Sequence, residues 1–231
     1  MLTIIDTILR SNRELYVRWE RCITLPNTEP ASWRKANLFA EIVLRYSEVH
    51  RHYHALNHIK HCLGTFDFVK ESIPAHLHFL IQIALIYHDV VYDPEREDNE
   101  IRSGEIARNH LMELGWRDQN ILQIINSIRA TAHTGTPLTA EVAKWVVDID
   151  LSSLAARPEV FDKNTLDIKA EYEHCINFTE RKWQEGRRAF AQKMLGRAEI
   201  FHTEPFFRAY EEEARRNLAR TIESLAPIPA G

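Results

Sequence analysis

The sequence predicts an all-α protein, a helical bundle with its chemistry in the middle of the chain and further helices at the C-terminal end. Three observations carry this. Only 7 Gly and 9 Pro punctuate 231 residues, too few for a fold built from many tight turns. The apolar residues fall in long blocks, several with a helical period. No stretch is Gly/Ser-rich, repetitive or of low complexity. Nothing therefore marks a linker, and residues 1–231 are expected as one domain with a sizeable core.

Taken in order, residues 2–21 carry Ile5, Ile8, Leu9, Leu15, Tyr16 and Trp19 at helical spacing and predict an opening helix. Ser32 is a candidate N-cap for a helix to Tyr46, with Leu38, Ile42 and Leu44 inward. A histidine-rich segment follows, with a helix expected to begin near Tyr53 to Ala55 and Gly64 marking a bend or close approach. After Pro74 comes the apolar run Phe79 to Tyr87, which reads as a buried helix delivering His88 and Asp89 at its end. Asp98 or Asn99 caps the next helix, which Gly115 stops. Asp118 caps another, and Thr139 caps the helix bearing Asp148 and Asp150. Long amphipathic helices are expected over about 158–175, 179–197 and 205–225. Phe178, Trp183, Phe190, Phe201, Phe206, Phe207 and Tyr210 are their aromatic core, and Glu211-Glu212-Glu213 with Arg215-Arg216 a solvated face.

The formal net charge of −4 gives no electrostatic case for nucleic-acid or membrane binding. Cys22, Cys62 and Cys175 are isolated and odd in number, so reduced thiols are expected rather than disulfides or a cysteine-rich zinc site. Neither a signal peptide nor a membrane-length apolar run is visible, and a cytoplasmic protein is the default.

The residues that carry chemistry are three groups. Arg51-His52-Tyr53-His54-Ala55-Leu56-Asn57-His58-Ile59 comes first, Tyr87-His88-Asp89 second, and Trp145-Val146-Val147-Asp148-Ile149-Asp150-Leu151 third. Imidazole nitrogens and carboxylate oxygens are the common non-sulfur ligands of catalytic divalent metals. His54 and His58 share a helix face, and Asp148 and Asp150 do not. This order, His then His-Asp then Asp, resembles the signature of the HD superfamily of metal-dependent phosphohydrolases. It is most similar to the branch described as predicted HD-superfamily metal-dependent phosphohydrolases. The likeness extends to Asp98-Asn99-Glu100, Glu171-Tyr172, Gly186-Arg187 and residues 214–218.

The resemblance implies an HD-type core over about 50–155 with C-terminal helices over about 158–225. It implies metal ligands His58, His88, Asp89 and Asp150. His54 then faces substrate or supports a ligand, and Asp148 holds a ligand histidine or lies near substrate. Two nitrogens and two carboxylates suit a divalent ion with open positions, among Mn²⁺, Fe²⁺, Co²⁺, Ni²⁺, Mg²⁺ or Zn²⁺. The implied activity is hydrolysis of a phosphate ester in a small phosphorylated metabolite, a nucleotide by family analogy. Asp89 or Glu100 is the candidate base, with Glu100 equally a residue of a helix cap. His133 is a candidate for leaving-group protonation, phosphate contact or a second metal. Arg51 is the candidate phosphate cation, against an ordinary surface charge. Lys169 and Arg187 are further candidates for the pocket, although family members often carry arginine where Lys169 stands.

Two alternatives use the same residues. An HD-fold di-iron oxygenase would need His54 and His133 to bridge a second ion. A non-catalytic helical module would use the metal to hold its helices. A separate metal scheme pairs His54 with His58 as in helical zinc hydrolases, but Ala55 stands where that motif has glutamate.

Overall fold

The computed structural model describes residues 3–24, 30–134 and 138–225, with eleven α-helices, three short 3-10 helices and no strand among them. In chain order these are α1 (Ile4–Ser11), α2 (Arg13–Ile23), α3 (Ser32–Arg45), α4 (Leu56–Val69), α5 (His78–Tyr87) and α6 (Asn99–Glu113). Then follow α7 (Asp118–Ala130), α8 (Glu141–Leu151), α9 (Pro158–Glu173), α10 (Glu180–Leu195) and α11 (Glu204–Ser224). A 3-10 helix at Ser152–Ala155 joins α8 to α9. The all-α class is as expected, and none of these helices is long and apolar enough to cross a membrane.

The fold is built around α5. Its residues Ile83, Ala84, Leu85, Ile86 and Tyr87 are all 0% exposed, as befits a helix apolar on every side. It packs against α2, α4, α6, α7 and α8. Each fully buried Ile or Leu contributes about 1.5–3 kcal/mol, so burying α5 is the main reason the neighbouring helices converge. One continuous apolar core runs from Leu15 on α2 to Leu218 on α11.

Several local expectations change. The opening segment is two helices rather than one. Asn12 leaves the helical region (φ −124, ψ 33), and its side-chain amide donates to the Ile8 carbonyl, the local competition that makes asparagine a helix terminator. Ser32 is the first residue of α3 and Ala31 occupies the cap without a side-chain bond. Leu38 and Ile42 are buried, but Leu44 is 57% exposed. Ala140, not Thr139, caps α8. Asp118 is the first residue inside α7 after Arg117, and its side chain lies outside the described residues. Asp98 stands at the α6 cap position, yet its carboxylate binds Arg96 and Arg102 instead of the helix. An added Cβ at Gly64 meets nothing within 4 Å, so no close approach explains it.

Gly115 does end α6. Its φ of 83 closes a turn in which its N–H donates to the Met112 carbonyl and the Trp116 N–H to the Leu111 carbonyl, the paired bonds of a Schellman ending. The C-terminal helices keep Phe201 and Phe206 fully buried and leave Phe207 41% exposed. Glu211 is not on a solvated face. Its carboxylate accepts from the N–H groups of Ile200 and Phe201 and from Arg215 Nε, whereas Glu212 and Arg216 are exposed.

The two glycines predict opposite outcomes. Gly115→Ala forces a Cβ into the left-handed region and should lower unfolding free energy by about 1–2 kcal/mol. Gly64→Ala, in open space within α4, should raise it by about 0.5–1 kcal/mol. Urea titration followed by circular dichroism reads both.

Candidate metal centre

Four of the predicted side chains converge. His58 lies in the first turn of α4, His88 caps the C-terminus of α5, Asp89 follows it, and Asp150 is in the last turn of α8. His58 Nε2 is 3.1 Å from His88 Nε2 and 3.1 Å from Asp150 Oδ1. His88 Nε2 is 3.0 Å from Asp89 Oδ2 and 3.4 Å from Asp150 Oδ1, and His58 Nε2 is 3.7 Å from Asp89 Oδ2. Donors held at about 2.1 Å from one ion stand roughly 3.0 Å apart at octahedral corners and roughly 3.4 Å apart at tetrahedral ones. Four of the five separations fall in that range, and the His58–Asp89 separation of 3.7 Å lies just beyond it.

The chemistry of the donors fits as well. The second ring nitrogen of His88, Nδ1, is 2.8 Å from the Leu85 carbonyl. A carbonyl only accepts, so Nδ1 carries the hydrogen and Nε2 presents its lone pair to the cluster. That lone pair faces His58 Nε2 and two carboxylates. Burial opposes a charge on His88, but the fields of Asp89 and Asp150 outweigh it and raise the imidazole pKa well above the usual value. Burial likewise opposes the carboxylate charges, and His88 beside them holds both well below the ordinary range. The cluster thus attracts either a proton or a cation. Cys62, one helical turn after His58, brings its Sγ within 3.7 Å of His58 Nε2. Burial keeps that thiol protonated, far above its usual pKa.

The surrounding groups divide. His133 Nε2 is 3.1 Å from Asp150 Oδ2. Its backbone is left-handed (φ 52), and its carbonyl accepts from Arg197 Nη2 at 2.8 Å. Glu100, in the first turn of α6, lines a cavity of about 420 Å³ together with Asp89, His133 and Asp150. Burial and then the charge of Asp89 raise its carboxyl pKa.

His54 lines the same cavity, its ring 4.0 Å from that of Tyr92. Its Nδ1 is 2.7 Å from Glu171 Oε2, which fixes the ring, and because α4 begins only at Leu56, His54 and His58 are not the i,i+4 pair of a helical zinc site. Burial disfavours its charge, and the bond to Glu171 overcomes this and raises its pKa. The other oxygen of Glu171 accepts from the N–H groups of His52, Tyr53 and His54 at 2.9, 2.8 and 2.7 Å. This is an anion nest filled by the protein's own carboxylate.

Three assignments are corrected. Arg51 is not a phosphate cation. Its side chain is 0% exposed. Its donors go to Glu48 Oε2 and to the carbonyls of His54, Asp89 and Val90. Asp148 holds no ligand histidine. It is 0% exposed on the opposite face of α8 and accepts from the His202 and Thr203 N–H groups and the Thr203 hydroxyl. It therefore anchors the start of α11. Lys169 is not part of the cavity lining and pairs with Glu180 at 2.7 Å. The opposite cavity wall comes from α9 and α10, with Phe161, Tyr172, Trp183, Arg187 and Phe190. Of this wall the sequence offered only Arg187 as a pocket candidate. The role of Glu171 and the aromatic lining escape it, because the resemblance marks the Glu171-Tyr172 segment without a role and Trp183 and Phe190 read as core.

Metal analysis by mass spectrometry after reconstitution with Mn²⁺ should give near one ion per wild-type chain. His88→Ala and Asp150→Ala should lose it. Asp148→Ala should retain it while losing about 2–4 kcal/mol of stability, the scale of charged hydrogen bonds left unmade. Loss of metal in Asp148→Ala with retention in Asp150→Ala would reverse the assignment. A ligand must shed its proton to bind, and the His88 pKa is raised. Apparent metal affinity should therefore keep rising with pH above about 6.5, the ordinary histidine value, with proton release detectable by calorimetry in buffers of different ionisation enthalpy.

Comparisons of the chain with known protein families, with curated proteins and with solved structures found no match, so the interpretation of this centre rests on its geometry.

Proposed function

We propose that the protein is a metal-dependent hydrolase of phosphate esters, of the HD type its motif order resembles, acting on a small phosphorylated metabolite. The observation that carries this is the meeting of His58, His88, Asp89 and Asp150, with donor separations of 3.0–3.7 Å, where Asp89 and Asp150 line a cavity large enough for such a molecule. A divalent ion held there would supply Lewis acidity toward a phosphoryl oxygen and lower the pKa of water.

The chain's own groups take the remaining roles. Glu100 has the raised pKa and the cavity position of a proton acceptor for attacking water. His133 contacts Asp150 Oδ2, and this supports a role in positioning that carboxylate. With its Nδ1 donating to Glu171, a protonated His54 has an Nε2–H to offer a phosphoryl oxygen or the leaving oxygen. The aromatic side chains of α9 and α10 exclude water from the far wall. The bond of His54 Nδ1 to Glu171 leaves its Nε2 available to an ion as well, so the di-iron alternative is separated from the hydrolase by the metal count, two irons per chain favouring the former.

A screen of phosphate monoesters and diesters, starting with p-nitrophenyl phosphate, should show metal-dependent phosphate or alcohol release. Glu100→Gln should lower kcat by about 10²–10⁴, with KM and metal content within about threefold of wild type. Fully metal-loaded protein that turns over none of the esters would sink the proposal.

A further inference from the structure

With Arg51 and Lys169 engaged elsewhere, the cavity needs another cation to balance an incoming phosphate. A hydrolytic cluster of two histidines and two carboxylates is formally neutral once it carries a divalent ion, and a phosphate monoester brings up to two negative charges of its own. Two arginines line the cavity. Arg96 is committed, with its Nε and Nη2 at 2.7 and 2.8 Å from the two oxygens of Asp98. Lys182, the lining lysine, is exposed at the rim and donates to the Asn177 carbonyl.

Arg187 is different. It projects from α10 between two aromatic rings, its guanidinium 5.7 Å from the centroid of Phe161 and 5.3 Å from that of Phe190. One N–H, on Nη2, donates to the Thr165 hydroxyl at 3.1 Å. The Nε atom is buried without a partner. No carboxylate stands within ion-pair distance among the described residues, and the ionisable groups that act on it are the Tyr53 and Tyr172 phenols. Burial keeps both phenols neutral at pH 7. Tyr53 in turn connects this wall to the cluster, its ring 4.9 Å from that of His58.

Arg187 is half-buried, with its Nε fully enclosed, and a guanidinium partly withdrawn from water without a counter-charge is unfavourable. The two rings offset part of that and fix the plane of the group by cation–π contact. They leave its in-plane donors in the geometry that matches an oxyanion. The missing partner is therefore an anion that the chain does not itself provide.

We propose that Arg187 is the oxyanion-binding residue of the cavity, taking phosphoryl oxygens of the substrate in its planar fork while Phe161 and Phe190 hold it in place. The word phosphoryl rests on the hydrolase proposal above, whereas the need for an oxyanion does not. Arg187 thus selects phosphorylated molecules over neutral ones of the same shape.

The test is calorimetric titration of inorganic phosphate into full-length, metal-loaded protein. Arg187→Gln should weaken phosphate binding at least tenfold with metal content unchanged. Arg187→Lys keeps the charge and loses the fork, and should weaken it about three- to tenfold. If the glutamine variant has no cooperative melt, the lysine variant decides. Phosphate binding within twofold of wild type in a folded variant overturns the proposal, as does a wild type that binds no phosphate. In the ester screen, Arg187→Gln should raise KM at least tenfold, with a smaller fall in kcat. Arg187-dependent phosphate binding without turnover of any ester would uphold the anion site and remove the hydrolase. Turnover with an unchanged KM in Arg187→Gln would do the reverse.

Discussion

The centre depends on how the C-terminal end of α5 is held. A helix leaves its last carbonyls without partners, and here that end is buried and carries two of the four converging side chains. Arg51 supplies the donors, reaching the carbonyls of Asp89 and Val90 while also binding that of His54. One guanidinium therefore ties the segment before α4 to the turn after α5. Tyr46 adds a second tie, donating from its hydroxyl to the Ile86 carbonyl and accepting from the Asp89 N–H. Ser103 makes a third, bonded to both the N–H and the carbonyl of Val91. The exchange of a solvated charge for a buried one is sustained because each carbonyl met would otherwise be unpaired.

Electrostatics divides the cavity in two. On one wall, Asp89 and Asp150 create a negative field strong enough to raise the His88 pKa against burial. On the other, Arg187 stands among aromatic rings with no acid beside it among the described residues. Between them lie groups that can exchange a proton, Glu100 and His54, each with its pKa moved upward by its surroundings. Titratable groups shifted in this way at a cleft, with identifiable partners, support the proposal of a chemical site.

The helical class and the buried α5 were legible in the sequence because each depends on residue type and spacing, and the four converging side chains were legible through the motif order that resembles the HD superfamily. His88 and Asp89 are adjacent, and Asp150 is separated from Asp148 by the half-turn that sends them to opposite faces of α8. What was not legible depends on the partners that the fold brings in. Arg51 and Arg187 are the same residue type in polar segments, and only the carbonyls around one and the rings around the other distinguish them. Ser32 and Thr139 have capping chemistry, but the backbone turns into the helix one residue away from each. Glu211 sits in a run of charges that looks solvated until the turn at Ile200 and Phe201 folds onto it. Neighbouring helices settle those cases, and no local pattern reports a neighbour.

Glu171 has one more consequence. It lies on α9, yet one of its oxygens collects three successive N–H groups more than a hundred positions earlier in the chain. Asp148 is served in the same way by Thr203 from beyond α10. A growing polypeptide leaves the ribosome from its N-terminus, so the histidine loop and α8 emerge well before the groups that complete them. Until α9 and the start of α11 follow, the loop lacks its acceptor and Asp148 lacks its donors. The order of synthesis thus delays the finished centre until the start of α11 has emerged, and α9 and α11 are part of the body that holds the cavity and its surroundings in place.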